Sequence, residues 1–159
     1  MRSRFDIRPA RTPADLAAVA GLFRAYAASL PVGLDYQDFD DELAGLPGKY
    51  APPAGELLLA LDAAGAPMGC GALRPLAPGG VCEMKRLYLD PGARGTGLGR
   101  ALAERIVEAA RRLGYRELRL DTLPSMGAAQ GLYADMGFTE IAPYYAPTPE
   151  GTVFLMLRL

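Results

Sequence analysis

The sequence contains no histidine, and this absence excludes several kinds of catalytic site. Histidine serves as a general base near neutral pH, as the proton carrier of serine and cysteine triads and as a common metal ligand. Histidine triads, imidazole metal sites and histidine bases are therefore excluded. Cys70 and Cys82 are the two cysteines, too few for a metal-ligand cluster. We expect no metal, and we expect both cysteines to be buried as small apolar residues in facing strands.

The sequence also lacks a charge excess and a long apolar run. Its 17 basic and 18 acidic residues give a net charge of −1, which does not favour non-specific nucleic-acid binding. No apolar run approaches the length that spans a bilayer, and residues 1–6 lack the apolar stretch of a secretory signal. We therefore expect a cytoplasmic protein with no membrane or nucleic-acid partner. Its 159 residues, half of them hydrophobic, fit a single domain over residues 1–159.

What the sequence does have is a glycine-rich turn between a predicted strand and a predicted helix. Residues 81–89 mix β-branched, aromatic and aliphatic side chains, as a largely buried strand would. From residue 98 to residue 113 apolar residues recur every three or four positions, which predicts an amphipathic helix. Gly95, Gly97 and Gly99 at its start tolerate positive φ angles and leave space beside free backbone N–H groups. Arg94 adds a planar donor fork, so the turn is predicted to hold a pyrophosphate.

The spacing of the glycines separates this turn from two common nucleotide-binding loops. The dinucleotide fingerprint needs a glycine or alanine three residues after its second glycine, and the candidate positions hold Arg100 and Leu102. The ATP-type phosphate loop needs a glycine followed by lysine and a hydroxyl residue, and no such run occurs. A glycine-rich turn that serves only close packing is the alternative to an anion site.

The remaining segments predict an alternation of strands and helices. The predicted strands lie at residues 5–8, 56–62, 68–76, 81–89, 115–121, 138–142 and 152–159. Thr12-Pro13 marks the start of a helix that runs to Pro31, because a hydroxyl residue caps it and proline suits its first position. Further helices are predicted within residues 38–46 and at residues 98–113 and 125–136. The result is a mixed sheet with helices on its faces.

Three motifs together give the chain a resemblance to a known family. Arg94, Gly97 and Gly99 match the pattern Arg/Gln-x-x-Gly-x-Gly/Ala, and they follow the run Leu87-Tyr88-Leu89-Asp90-Pro91. A second run is Leu132-Tyr133-Ala134-Asp135-Met136-Gly137-Phe138. With these motifs the chain resembles the GNAT superfamily of acyl-CoA-dependent N-acyltransferases. The resemblance implies the GNAT fold: a mixed, mostly antiparallel sheet of six or seven strands, about four helices on its faces, and splayed central strands.

The resemblance also implies how acetyl-CoA, the co-substrate, would bind. The backbones of Leu87 and Leu89 would pair with the pantetheine amides like an added strand, while their side chains stay in the core. The pyrophosphate would lie on the residues Arg94, Gly95, Thr96, Gly97, Leu98, Gly99 and Arg100. The family's second motif commonly carries an asparagine that touches the cofactor arm, and Met126 occupies that position here. We expect that contact to be lost or to be supplied by Ser125.

The implied reaction is direct attack of an amine on the acyl thioester. Tyr133 matches the tyrosine that often acts as general acid in this superfamily, and its alternative role is a core aromatic. Glu83 is the candidate base, because strand alternation puts it on the same side as Leu87 and Leu89. Its alternative roles are a salt bridge with Lys85 or Arg86 and a contact to the substrate.

The resemblance implies an acceptor pocket between residues 24–50 and residues 143–151. The acids Asp35, Asp38, Asp40, Asp41 and Glu42 would favour a cationic acceptor, or they form an ordinary solvated face. Tyr26, Tyr36, Tyr144 and Tyr145 could face an amine, or the last two could bury in a homodimer interface, which many of these proteins form. The predicted function is acetyl transfer to a small-molecule or protein amine. The alternatives are a catalytically silent acyl-CoA binder and a nucleotide-dependent oxidoreductase, which the glycine spacing disfavours.

Overall fold

The structure, a computed structural model, describes residues 4–31 and 38–159 and contains one seven-stranded sheet. The strands are β1 (Asp6–Pro9), β2 (Glu56–Leu61), β3 (Pro67–Ala77), β4 (Val81–Leu89), β5 (Glu117–Thr122), β6 (Thr139–Ile141) and β7 (Val153–Arg158). The helices of the described residues are α1 (Pro13–Ser29), α2 (Phe39–Ala44), α3 (Leu98–Arg112) and α4 (Gly127–Asp135). The predicted order of elements is therefore confirmed, with α4 shorter than predicted.

The sheet order is β1-β2-β3-β4-β5-β7-β6, and every neighbouring pair is antiparallel except β4 and β5. This exception follows from the connection, because α3 crosses over between β4 and β5 and returns the chain to run in the same direction. The mixed, mostly antiparallel sheet predicted from the resemblance is thus confirmed. A turn that includes the 3-10 helix Pro91–Ala93 separates the end of β4 at Leu89 from the start of α3 at Leu98.

Side-chain alternation along the strands divides the apolar residues between two cores. On one face α3 packs its buried stripe, which includes Leu102 and Ile106, against the sheet. On the other face α1 contributes Val19 and Phe23. In β2 the alternation is complete: Leu58 and Ala60 belong to the α3 core, and Leu57 and Leu59 to the α1 core. Burial of both sets of side chains fixes the strand register, because a one-residue slip would move each set to the other face.

A β-bulge in β4 changes which side chains share a face. Ala72 of β3 pairs with Lys85 and Cys70 pairs with Tyr88, so two residues of β4 lie opposite one residue of β3. Arg86, in the bulge, has a φ of 61°. Before the bulge Cys82 and Met84 belong to the α3 core, and after it Leu87 and Leu89 pack against the same core.

Glu83 therefore lies on the α1 face of β4, opposite Leu87 and Leu89. The expectation that Glu83 shares their side is wrong, because it assumed an uninterrupted alternation. The extra residue in the bulge reverses the parity between residue 83 and residue 87.

The bulge is held by a buried ion pair with α2. The Arg86 guanidinium donates to both carboxylate oxygens of Glu42, Nε to Oε2 at 2.9 Å and Nη2 to Oε1 at 3.1 Å. The two side chains are only 2% and 5% exposed, and Phe39 of α2 lies under the guanidinium. Burial alone would raise the pKa of Glu42, but the hydrogen bonds and charge of Arg86, with the charge of Lys49, lower it below its ordinary value.

Both cysteines are buried and free, Cys70 in β3 and Cys82 in β4, as predicted. Burial raises the pKa of the Cys82 thiol to about 12, which keeps it protonated and unreactive near neutral pH. None of the helices in residues 4–31 and 38–159 is long and apolar enough to cross a membrane.

Arg86→Met tests the buried pair through stability. Removing the guanidinium leaves the Glu42 carboxylate buried without its main partner, and we expect a loss of about 3–5 kcal/mol in the free energy of unfolding. Urea titration measures it. The control is Arg100→Met, which breaks an ion pair whose side chains are about half exposed and costs about 0–1 kcal/mol. Equal losses in the two variants would contradict the assignment, as would a double variant Arg86→Met/Glu42→Met that is no more stable than Arg86→Met.

The same pair predicts an acid-sensitive stability. The pKa of Glu42 is lower in the folded protein than its ordinary value of 4.5. Its contribution is therefore fully present above that value and is lost as the pH falls through the folded pKa. In wild type, the free energy of unfolding should decrease on acidification, and Glu42→Gln should remove part of this dependence.

Candidate active site

The central feature of the site is the early end of the pairing between β4 and β5. Only Val81, Cys82 and Glu83 of β4 pair with β5, the last of them with Arg119, although β4 continues to Leu89. The two strands then diverge, and a cleft with about 550 Å³ of empty space, part of it open to solvent, lies between them. Its walls come from α1, β4, β5 and α4, so it passes from one face of the sheet to the other.

The backbone of β4 presents its free edge to this cleft. The Asp90 N–H donates to the carbonyl of Met68 in β3 at 2.8 Å. Because backbone groups alternate between the two edges of a strand, the N–H and C=O groups of Leu89 and Leu87 point away from β3, toward the cleft. Both side chains pack against the α3 core at the same time. The predicted roles in core packing and in backbone binding are therefore compatible.

The turn that precedes α3 carries unpaired backbone donors. Within the described chain, no hydrogen bond is donated by the backbone N–H groups of Gly95, Thr96, Gly97, Gly99 and Arg100. The N–H of Leu98 lies 3.4 Å from the Thr96 hydroxyl, and no side chain caps the helix at Gly97. These donors lie at the positive end of the α3 dipole, so the turn is suited to bind an anion through its main chain.

The backbone conformation of the turn explains Gly95 and Gly97. Gly95 and Gly97 have φ angles of 77° and 87°, a region that costs other residues roughly 1–2 kcal/mol. A Cβ atom at either position would meet nothing within 4 Å, so close packing does not explain these two glycines. At Gly99 a Cβ atom would lie 3.4 Å from the Leu89 side chain, an ordinary contact. The packing alternative is therefore excluded for Gly95 and Gly97.

The side chains of the turn contribute less than its backbone. Leu98 is 2% exposed, and Thr96 uses its hydroxyl to donate to the carbonyl of Ala93. Arg94 is exposed, with Nη2 3.5 Å from the Leu89 carbonyl oxygen. Arg100 forms an ion pair with Glu104 one turn along α3. Arg94 is thus the side chain of this group best placed to turn toward an anion.

Tyr133 lies on α4 and lines the cleft. Its ring packs 5.5 Å from the ring of Phe138, in the α3 core, and the residue is 6% exposed. Burial, together with the nearby groups Tyr26 and Asp121, raises the pKa of its phenol, which therefore stays protonated at neutral pH. The core role and the proton-donor role predicted for Tyr133 are compatible.

Ser125 and Met126 precede α4. Ser125 is exposed and does not line the cleft, whereas Met126 does, with its sulfur 3.6 Å from the Thr122 hydroxyl. The predicted contact between Ser125 and a cofactor is untested by this arrangement.

Glu83 is 1% exposed and does not line the cleft. One carboxylate oxygen, Oε1, accepts from Nε of Arg74 and also lies 2.9 Å from its Nη2. The other, Oε2, accepts from the Tyr144 hydroxyl at 2.6 Å. The alternative salt bridges expected for Glu83 are not formed, because Arg86 binds Glu42 and Lys85 lies 3.6 Å from Asp121.

Asp121 is a cleft residue that the sequence reasoning missed. It lies near the end of β5, beyond the last pair with β4, and its carboxylate accepts from the Tyr145 hydroxyl at 2.8 Å. The Lys85 ammonium on β4 faces it across the gap, and both side chains are less than 10% exposed. The sequence did contain a signal for Asp121: it is a carboxylate between Leu120 and Thr122, in a strand that was expected to border a gap.

The structure describes some of the residues that were predicted to form the acceptor pocket. Tyr26 lines the cleft and packs edge-on against Tyr88. Tyr144 and Tyr145 pack around Phe154 of β7 in the same chain, and their hydroxyl groups reach Glu83 and Asp121. Tyr36 and Asp35 lie outside the described residues. The described acids differ: Glu42 is buried and paired, while Asp38, Asp40 and Asp41 are exposed. The homodimer stays a prediction.

Comparisons with known proteins agree with this geometry. The sequence profile of the acetyltransferase (GNAT) family matches residues 20–138. An uncharacterized N-acetyltransferase of Schizosaccharomyces pombe is 38% identical over 157 residues, which cover 99% of this chain and 96% of the relative. A GNAT-family acetyltransferase from Staphylococcus aureus matches the structure with a TM-score of 0.80 at 18% identity, over 97% of this chain and 98% of that one.

A second solved structure is an acetyltransferase from Salmonella typhimurium, determined with its cofactor acetyl-CoA. It matches with a TM-score of 0.71 at 22% identity, over 98% of this chain and 94% of that one. At these identities the two solved structures show the shared fold. The family profile and the yeast relative extend the likeness to the sequence itself.

Proposed function

Because the chain belongs to the acetyltransferase (GNAT) family, we propose that the described cleft transfers an acetyl group from acetyl-CoA to an amine by direct attack. The observation that carries the proposal is the divergence of β4 and β5 directly beside the unpaired N–H groups of the turn before α3. The domain extends over residues 1–159, and the acceptor is a small-molecule or protein amine.

Acetyl-CoA suits both halves of this arrangement. Its pyrophosphate carries negative charge for the backbone N–H groups of residues 95–100 and for Arg94. Its pantetheine amides can donate to and accept from the backbone groups of Leu87 and Leu89 at the free edge of β4. An extended arm in that place pairs like an added strand. The thioester then lies in the cleft near Tyr133.

The reaction needs one group that removes a proton from the amine and another that donates a proton to the departing thiolate. An alkylamine with a pKa of about 10.4 is mostly protonated at pH 7, and freeing its lone pair costs about 4.6 kcal/mol. The departing thiolate, with a pKa of about 8.5, gains from a proton donor. Tyr133 supplies that proton, because its phenol lines the cleft and its raised pKa keeps it protonated.

Glu83 is the proposed base, and it acts indirectly. It is buried, and Arg74 and Tyr144 occupy its carboxylate oxygens, so an amine in the cleft cannot touch it. It therefore receives the proton through a hydrogen-bonded neighbour.

The experiment that tests the function measures free thiol released from acetyl-CoA in the presence of a panel of amines. We expect release that depends on at least one amine and saturates with acetyl-CoA. A catalytically silent acyl-CoA binder would instead bind acetyl-CoA and release no thiol with any member of the panel.

Arg94→Ala tests the pyrophosphate contact. The change removes a charge-assisted hydrogen bond worth about 1.5 kcal/mol at an exposed site, and we expect the Kd for coenzyme A to rise about tenfold. Isothermal titration calorimetry measures it. Arg105→Ala on the exposed side of α3 is the matched control and should bind as wild type does. Equal affinity in the Arg94 and Arg105 variants would remove Arg94 from the site.

Tyr133→Phe tests the proton donor. The ring packing against Phe138 is retained and only the hydroxyl is lost, so we expect kcat to fall about 100-fold with little change in the Kd for acetyl-CoA. Steady-state and single-turnover kinetics measure the two effects. Tyr115→Phe, which removes a hydroxyl that donates to the Ala54 carbonyl away from the cleft, is the control. Unchanged turnover, with chemistry shown to be rate-limiting, would exclude Tyr133 as the acid.

A further inference from the structure

The burial of Glu83 requires a path for the proton. The carboxylate is 1% exposed, and Arg74 and Tyr144 both bond to it. Arg74 is permanently protonated and offers no lone pair, so it cannot accept a proton from a substrate. The Tyr144 hydroxyl can, because a phenol donates one hydrogen bond and accepts others through its oxygen.

Tyr144 does not itself line the cleft, but it adjoins Tyr145, whose hydroxyl reaches a cleft residue. It lies on the segment between β6 and β7, is half-buried, and packs its ring edge-on against Phe154 with 4.9 Å between centroids. Its neighbour Tyr145, 5.6 Å away between centroids, donates to the cleft residue Asp121. The Tyr144 ring is thus fixed by packing, and its hydroxyl is fixed by Glu83.

Charged groups surround this pair on each packed strand. Glu83 comes from β4 and Arg74 from β3. On β5, the Arg119 guanidinium lies 5.5 Å from the Tyr144 ring centroid, and the Asp121 carboxylate acts on Tyr144 electrostatically. Burial, Glu83, Asp121 and Tyr145 all raise the pKa of Tyr144. The phenol therefore stays protonated and donates to Glu83 until another proton reaches its oxygen.

We propose that Tyr144 is the proton relay of the reaction: its oxygen accepts a proton from the acceptor ammonium while its own proton passes to Oε2 of Glu83. This inference rests on the proposed acetyl transfer and adds a residue to it. The free amine then attacks the thioester carbon, a C–N bond forms and the C–S bond breaks. Tyr133 protonates the departing sulfur, and the second proton lost by the nitrogen restores Tyr133 through water. Glu83 later releases its proton to solvent.

Asp121 is the competing acceptor for that proton, because its carboxylate lines the cleft. Asp121 has comparable partners: its carboxylate accepts from Tyr145 at 2.8 Å and faces the Lys85 ammonium at 3.6 Å. Glu83 and Tyr144 form a shorter hydrogen bond, of 2.6 Å, along which a proton can move. The pH dependence of the variants distinguishes the two routes.

The test compares wild type, Tyr144→Phe, Glu83→Gln and Tyr145→Phe in kcat/KM for the amine found in the panel, from pH 6.5 to pH 10. We expect Tyr144→Phe and Glu83→Gln to lose about 100-fold at pH 7, the low end of general-base effects. The deficit should shrink to less than about tenfold near pH 10, because solution then deprotonates an amine with a pKa of about 10.4. The double variant should lose no more than the larger single loss, since both residues serve one step.

Tyr145→Phe is the matched control, because it removes the neighbouring phenol hydroxyl from the same aromatic cluster and should keep the wild-type pH dependence. Binding of acetyl-CoA and the thermal midpoint show whether each variant is folded. A deficit in Tyr144→Phe that stays constant with pH, or multiplicative losses in the double variant, would overturn the relay. If Asp121→Asn alone shows the pH-dependent deficit, Asp121 is the base and the relay fails. Wild type that releases no thiol with any amine would refute the proposed acetyl transfer itself.

Discussion

The site depends on the fact that β4 and β5 stop pairing after three residue pairs. A parallel pair that continued to Leu89 would satisfy the backbone of β4 and close the cleft. Because the strands diverge, the main chain at Leu87 and Leu89 keeps an edge with no strand paired to it, and this edge leads to the turn before α3. One interruption of the ladder thus creates the cleft, the edge and the approach to the helix N-terminus together.

The bulge at Arg86 lies beside this divergence and couples it to α2. The positive φ of Arg86 reverses the side-chain parity of β4, so Leu87 and Leu89 can stay in the α3 core while Glu83 and Lys85 face the α1 side. The buried pair with Glu42 holds the bulge from the side of α2. A substitution in α2 can therefore affect the edge of β4 at Leu87 and Leu89 although it touches no part of that edge.

Glu83 and Asp121, two carboxylates on the side of the cleft predicted to hold the acceptor, are each paired. Arg74 and Tyr144 hold Glu83, and Lys85 and Tyr145 hold Asp121. Such pairing offsets part of the cost of burying charged groups. It also directs the hydroxyl groups of two adjacent tyrosines to different carboxylates, Tyr144 to Glu83 and Tyr145 to Asp121.

The sequence by itself determined the order of strands and helices, the glycine-rich turn before α3 and the family, because all of these are set by local patterns. The apolar periodicity of α3 and the glycines that require positive φ are encoded within a few residues of each other. Only the tertiary structure decided the face of Glu83, its partners Arg74 and Tyr144, and the position of Asp121 in the cleft. These depend on a bulge and on contacts between residues as far apart as Glu83 and Tyr144, and strand alternation alone carries no information about an inserted residue or a distant partner.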